Sequence, residues 1–418
     1  MRAMLHPVRQ FAARLRAASD SAECLLRFDT VPQEVVLGRA EAVAGALSEV
    51  MPGWGCRSLP GAPSEAVPVT RVTAEDSGRY SYQSWWSRAP LTDLGLAGAT
   101  CGVVADLVQS YCDARPEMIG LHCGAVEVGG HLLAFTGPYR AGKTTLVTRL
   151  AAEPGVRLYC DDVLPVNPDG QGVALGVQPR LRLPLPEGVS DGFRVYVADH
   201  LTVQDRRYGY VRCDGQAPLG TQAPLAGLIV LRREASGPAR LHRMRVADAV
   251  AHMIRQNIAD PGETEAHYDR LAALGAQLFC ATLVYSDLEE AVQVVRDLCA
   301  APELPGSGVQ IGPMLPPDPV EAETVPADLA QVFCRAEEVS AREIGQDVFL
   351  WQMAGRNFFR LNPVAGAVWA LLEEPCYGHD IAETLAEVFV GTPQTMIADD
   401  LSDLLGQMCA RGLVRAEG

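Results

Sequence analysis

Nine consecutive residues carry the side chains and the backbone freedom needed to hold phosphate. They read Gly137-Pro-Tyr-Arg-Ala-Gly142-Lys143-Thr144-Thr145, which is G-x-x-x-x-G-K-T, the pattern of a loop that cradles phosphates with backbone N–H groups. Gly137 and Gly142 let the chain wrap tightly and aim its amides inward. Lys143 brings a charge to the β- and γ-phosphates, and the Thr144 hydroxyl suits Mg²⁺. Arg140, Ala141 and Thr145 complete the nucleotide-binding set. Of 35 basic residues, Lys143 is the sole lysine. Base composition accounts for arginine elsewhere, and this position needs a compact ammonium that a guanidinium cannot imitate. A chance glycine-rich turn is the competing reading. The context argues against it, because the apolar run 131–136 precedes the loop as a strand and LVTRLAAE follows as a helix, whose N-terminus adds partial positive charge.

Two further groups belong with this loop. The run VRLYC (156–160) reads as a strand and ends in Asp161-Asp162. Carboxylates at the end of a parallel strand beside a phosphate loop hold Mg²⁺ or accept a proton. Side chains of neighbouring residues on an extended chain point to opposite sides, so the two carboxylates divide those tasks. The alternative is an Asp pair that only opens a turn. Upstream, His122 precedes the run GAVEV (124–128); taken alone, a histidine there reads as structural. Arg140, Arg180, Arg182, Arg206, Arg207 and Arg212 are read as surface or substrate-side arginines rather than catalytic ones.

The elements that position these groups follow from pattern. Gly129-Gly130 joins 124–128 and 131–136 as a hairpin. Residues 91–114 have apolar positions at helical spacing, and 25–88 mix short runs with Pro and Gly, as in a small strand-rich lobe. Residues 301–326 hold seven prolines and three glycines and read as an extended linker. The chain therefore divides into an N-terminal lobe (1–115), a nucleotide-binding domain (116–300), a linker and a C-terminal domain (327–418). Apolar runs fall short of the ~20 residues of a membrane span, and no secretory signal is read at 1–24. A net charge of −16 argues against nucleic acid as partner. The 12 cysteines form no C-x-x-C pair, which suits free thiols and a cytoplasmic location.

The run LHCGAVEVGGHLLAFTGPYRAGKTTLVTRL, with VRLYCDDVLPV after it, resembles the core of the HPr serine kinase family. The resemblance covers about 120–165 and implies an α/β fold with a P-loop core like that of phosphoenolpyruvate carboxykinase. It also implies ATP and Mg²⁺, and transfer of a phosphoryl group to a hydroxyl, usually serine. By that resemblance His122 lies near the transferred phosphate, and Lys143 and Thr144 hold phosphates and Mg²⁺. One of Asp161 and Asp162 is the general base and the other the metal partner, with Asp161 favoured as base and Asp162 as metal partner. Gly227–Glu234 would be a later core strand. The loop ends in Thr-Thr where bifunctional members have Ser-Glu, so neither phosphorylase activity nor HPr as substrate is implied. Arg255-Gln256-Asn257 is a faint match to the family's C-terminal segment. Members form oligomers, so a homo-oligomer is one option.

The C-terminal part predicts a hairpin over 348–361, an Asn362-Pro363 helix start, a second helix through Ile381–Phe389 and a third opening at Thr392-Pro393. Strands followed by three helices give a winged-helix-like α+β arrangement. With 6 Arg, no Lys and 14 acidic residues over 327–418, it is a poor ligand for DNA. Phe359-Arg360-Leu361-Asn362-Pro363 through Gly366 to Trp369 resembles the PqqD family, whose domains recognise precursor peptides. The resemblance implies a leader peptide added as a strand in a groove between 356–361 and 393–411, with Arg356, Phe358, Arg360, Asp400 and Leu404 as contacts. Phe358, Leu361 and Trp369 read as core residues sooner than as peptide contacts. Together the two halves describe a kinase for a ribosomally made precursor peptide. The alternatives are a small-molecule kinase whose C-terminal domain serves assembly, and a non-catalytic, nucleotide-gated peptide adaptor.

Overall fold

The computed structural model describes residues 23–59, 62–260, 264–306, 308–316, 325–337, 339–352 and 357–417. The chain forms two units. One comprises Met1–Arg245 with His252–Met314, the other Val246–Ala251 with Leu315–Gly418.

A ten-stranded mixed sheet organises the first unit. Its central strand is Gln222–Arg233. Leu228, Ile229, Val230 and Leu231 are all buried, the continuous apolar run of a strand covered on both faces. It pairs in parallel with His131–Thr136 on one side and Phe279–Tyr285 on the other. The Gly129-Gly130 turn, with φ of 58° and 87°, folds Gly124–Val128 back on His131–Thr136 as the sequence predicts.

The strand Arg157–Cys160 runs parallel to the loop strand but is not its direct neighbour; it pairs antiparallel with Gly124–Val128 at the end of the row. The hairpin places its first strand between the two, so Asp161-Asp162 approaches the loop from one strand further out.

Residues predicted as one helix over 91–114 form a strand, Leu91–Leu94, and a helix, Leu96–Asp113. Gly95 breaks the pattern between them. The helix covers a six-stranded sheet built from residues 23–94, and it lies close because Gly102 has no side chain: a Cβ there would meet the Tyr82 ring at 2.8 Å. This lobe belongs to the first unit and is not a separate body. The expected linker is also partly built in. Ile311–Gly312 pairs with Arg240–Arg243, and the His242 ring bonds Pro313 O at 2.9 Å. An extended Pro-rich segment suits a sheet edge, where few ladder bonds are needed.

In the second unit, Val339–Ile344, Asp347–Gln352 and Asn357–Leu361 form a three-stranded sheet with the last strand at its edge. The helices Pro363–Leu371, Gly378–Val388 and Gln394–Ala410 follow, as predicted. Asn362 Oδ1 accepts from Ala365 N at 2.9 Å, capping the first. Phe333, Leu350, Val368, Trp369, Ile381, Leu401 and Leu405 meet in its core. A small sheet of Cys376–Tyr377, Val332–Arg335 and Val414–Glu417 is absent from the sequence reading. Among the described residues, no helix is long and apolar enough to cross a membrane.

Replacing Gly102 with valine forces the helix off Tyr82. Overpacking of this kind costs about 1–3 kcal/mol, so Gly102→Val should lower the melting temperature by several degrees in a thermal scan. An unchanged midpoint would show that the helix is not closely seated.

Candidate active site

The loop Gly137–Thr145 is set by close approach. Gly137 has φ 148°, and a Cβ there would lie 2.8 Å from Leu231 O on the central strand. Gly142 has φ 94°, and a Cβ there would run into the Tyr285 hydroxyl. That hydroxyl donates to Ala141 O at 2.7 Å, fixing the end of the loop. Arg140 adopts φ 67° at the exposed turn. The helix Lys143–Ala151 starts directly after Gly142, with Leu146 N bonded to Gly142 O. Lys143 Nζ reaches back to Gly137 O at 3.3 Å. Burial lowers the Lys143 pKa, and the Asp162 charge partly offsets this. Thr145 follows on the first turn, half-buried.

The acidic pair sits where the chain crosses between two parts of the sheet. Gly124–Val128 pairs with Arg157–Cys160, and Ile119–His122 pairs with Val163–Val166. Both chains therefore cross at the same level, at Cys123 and at Asp161-Asp162, and Cys123 N donates to Asp162 O at 2.9 Å. The register sets His122 opposite Val163, so its Nε2 lies 3.2 Å from Asp162 Oδ1. Asn257 braces this strand by accepting from Gly120 N at 3.0 Å. The pair lies in a bend, not on an extended strand, and both residues line one cavity of about 350 Å³ together with His122 and Thr144. The simple rule of opposite-facing neighbours therefore does not separate them.

Their environments do. The Asp162 side chain is 68% exposed. Desolvation acts to raise its pKa, but the hydrogen bond and charge of His122, with the charges of Arg180 and Lys143, hold it below the usual range. Asp161 is half-buried and accepts a hydrogen bond from Arg180 N at 2.9 Å. Burial, then the neighbouring Asp162 charge, push its pKa up to about 7. One carboxylate stays ionised and the other is poised near neutrality, the division that acid–base chemistry needs.

The arrangement suits the phosphates of a nucleotide: a side-chain-free cradle, a lysine across it and a helix N-terminus beneath. Among the described residues, no group of three His, Cys, Asp or Glu forms a metal cage. Thr144 and Asp162 suit Mg²⁺ shared with phosphates, because that ion is held by one or two protein oxygens plus phosphate and water.

Sequence reasoning undervalued Arg180 and missed the helix wall. Arg180 lines the cavity, as do Cys101, Ala105 and Gln109 of Leu96–Asp113, and Tyr210. The i, i+4, i+8 spacing of 101, 105 and 109 was visible, but nothing local showed what it faced. Arg140 and Arg182 flank the exposed Tyr139 ring, at 5.4 and 5.1 Å from its centroid. Arg206 and Arg207 are exposed, and Arg212 pairs with Glu49. In the second unit, Phe358 stacks on Phe349 with centroids 6.2 Å apart. Arg360 Nε donates to the buried Asp347 at 2.7 Å. Asp400 is exposed and Leu404 half-buried on the last helix. Leu361 and Trp369 are core. Arg356 lies outside the described residues.

Residues 347–414 match the family described as coenzyme PQQ synthesis protein D (PqqD). No curated protein matches the chain. Among solved structures, the chain is similar to TbiB1 in complex with the TbiA(beta) leader peptide, at 21% identity and a TM-score of 0.19 over 20% of this chain and 98% of that one. It is also similar to the Hpr(Ser) kinase/phosphatase from Coxiella burnetii, at 12% identity and a TM-score of 0.23 over 43% of this chain and 93% of that one. Scores this low add nothing to the geometry above.

The raised Asp161 pKa has a consequence for stability. Between about pH 4 and 7 the folded chain holds a proton that the unfolded chain releases. The associated stability is complete below the unfolded value and is lost as pH rises through about 7. Asp161→Asn removes this titration. Its melting temperature relative to the unsubstituted protein, both free of nucleotide, should rise more at pH 8 than at pH 5. Equal differences at both pH values would show an ordinary surface carboxylate.

Proposed function

We propose that the chain is an ATP-dependent kinase that phosphorylates a hydroxyl, of Ser or Thr type, on a ribosomally made precursor peptide whose leader docks on residues 327–418. The observation that carries this reading is the convergence of Thr144, His122, Asp161 and Asp162 on one cavity, in a chain that also holds a PqqD-family segment.

In this reading Gly137–Thr145 holds the phosphates of ATP. Lys143 contributes its charge at the β- and γ-phosphates. Thr144 and Asp162 hold Mg²⁺, which when bound offsets phosphate charge. His122 fixes the Asp162 carboxylate and donates toward the transferred group. Asp161 accepts the proton as the acceptor oxygen bonds to the γ-phosphorus and ADP departs. A carboxylate near neutrality suits this role, since a general base works best with a pKa close to the operating pH.

The strand Asn357–Leu361 lies at a sheet edge, where its outer backbone groups can accept another strand. A leader docked there, beside Gln394–Ala410, keeps the rest of the peptide on a tether, at an effective concentration of about mM for a short linker. Asp400 and Leu404 are the exposed and half-buried contacts on that helix.

The test is to incubate the full chain with Mg-ATP and the short peptides encoded beside its gene, and to record intact peptide masses. One peptide should gain a single phosphate, Asp161→Asn should reduce the rate at least ~100-fold, and deleting the leader should raise KM far more than it lowers kcat. Peptide and nucleotide binding without any mass gain would refute the kinase and favour the adaptor.

A further inference from the structure

The cavity beside the acidic pair has a wall to which the kinase reading gives no role. Helix Leu96–Asp113 brings Cys101, Val104, Ala105, Val108 and Gln109 to it, a single stripe at i, i+3, i+4, i+7 and i+8. Within this stripe Val104 and Val108 are buried in the lobe, while Ala105 is exposed toward the opening. Val163, Leu175, Val177 and Ile258 add apolar surface.

Two observations say which substrate belongs there. Of the loop residues 137–145, Thr144 alone lines the cavity. A phosphate chain lying in the loop would meet the cavity at its Thr144 end, the end shared with Asp162, and the rest of a nucleotide would extend elsewhere. The volume of about 350 Å³ is at the low end for ligand sites. It admits one side chain with its backbone, carried on a flexible segment, and not the face of a folded protein. Arg180 lines the cavity with the acidic pair; its guanidinium lies 4.4 Å from the centroid of the Tyr208 ring, and its charge offsets part of that of Asp161 and Asp162.

We infer that this cavity is the acceptor pocket, and that the stripe Cys101–Gln109 selects a compact hydroxyl residue with an apolar body. Threonine fits this, and a long side chain such as lysine does not. The inference rests on the kinase reading: it names the acceptor side of the same site and makes Ala105 a specificity-determining residue.

Cys101 is a half-buried thiol in the stripe and serves as a reporter. Its labelling by N-ethylmaleimide in the full chain would be followed by peptide mass mapping. Three conditions are compared: the protein alone, with saturating Mg-AMPPNP, and with Mg-AMPPNP plus capped threonine (N-acetyl-threonine N-methylamide). Nucleotide affinity is measured separately by calorimetry. Mg-AMPPNP alone should change the Cys101 rate less than about twofold, and added capped threonine should slow it severalfold while capped lysine does not. Ala105→Trp, a change at an exposed helix position, should slow labelling and abolish protection by capped threonine, with nucleotide affinity altered less than about twofold. Full protection by Mg-AMPPNP alone, or loss of nucleotide affinity in Ala105→Trp, would make the cavity the base pocket and overturn the proposal. Equal protection by capped lysine, or none by capped threonine up to its solubility, would overturn the stated selectivity. Absence of nucleotide binding in calorimetry would instead sink the kinase reading.

Discussion

A backbone that has no room for side chains governs the site. Gly137 passes the carbonyl of Leu231 at a distance that excludes a Cβ, and the Tyr285 hydroxyl both fills the space over Gly142 and ties down Ala141 O. Those contacts come from the central strand Gln222–Arg233 and its parallel neighbour Phe279–Tyr285. The loop is thus fixed by the sheet, not by its own sequence. The first turn of the following helix presents Lys143 and Thr144 in a defined place.

The second constraint is the double crossing at Cys123 and at Asp161-Asp162. By leaving one sheet partner for another at the same level, the two chains set a histidine against one carboxylate and draw the other inward. Burying Asp161 beside Asp162 costs stability at neutral pH. On the proposed kinase reading, that cost serves a proton acceptor. The PqqD-family segment carries a different physics: an edge strand and a helix around a small apolar core, with Asp347 buried against Arg360.

What could be read in the sequence was what local chemistry dictates. The loop glycines, the lone lysine, the Gly129-Gly130 hairpin and the three C-terminal helices depend on residues near one another in the chain. The extended-strand rule applied to the Asp pair fails because the chain bends there, a consequence of pairing with two strands distant in sequence. Arg180 passed for a surface arginine because its neighbours Tyr208 and Asp161 are distant in sequence. The helix stripe at 101–109 was regular enough to see, but its cavity is made by the fold. Two- to four-residue strands such as Cys376–Tyr377 carry too little pattern to register.

The account stands or falls on whether the loop grips a phosphate chain through Lys143. Calorimetric titration of the full chain with Mg-ATP, Mg-ADP and AMP tests this directly. The account predicts that Mg-ATP and Mg-ADP bind, that AMP binds at least ~100-fold more weakly, and that Lys143→Met loses most of the affinity for the first two. Equal binding of AMP, or affinity unchanged in Lys143→Met, would contradict it.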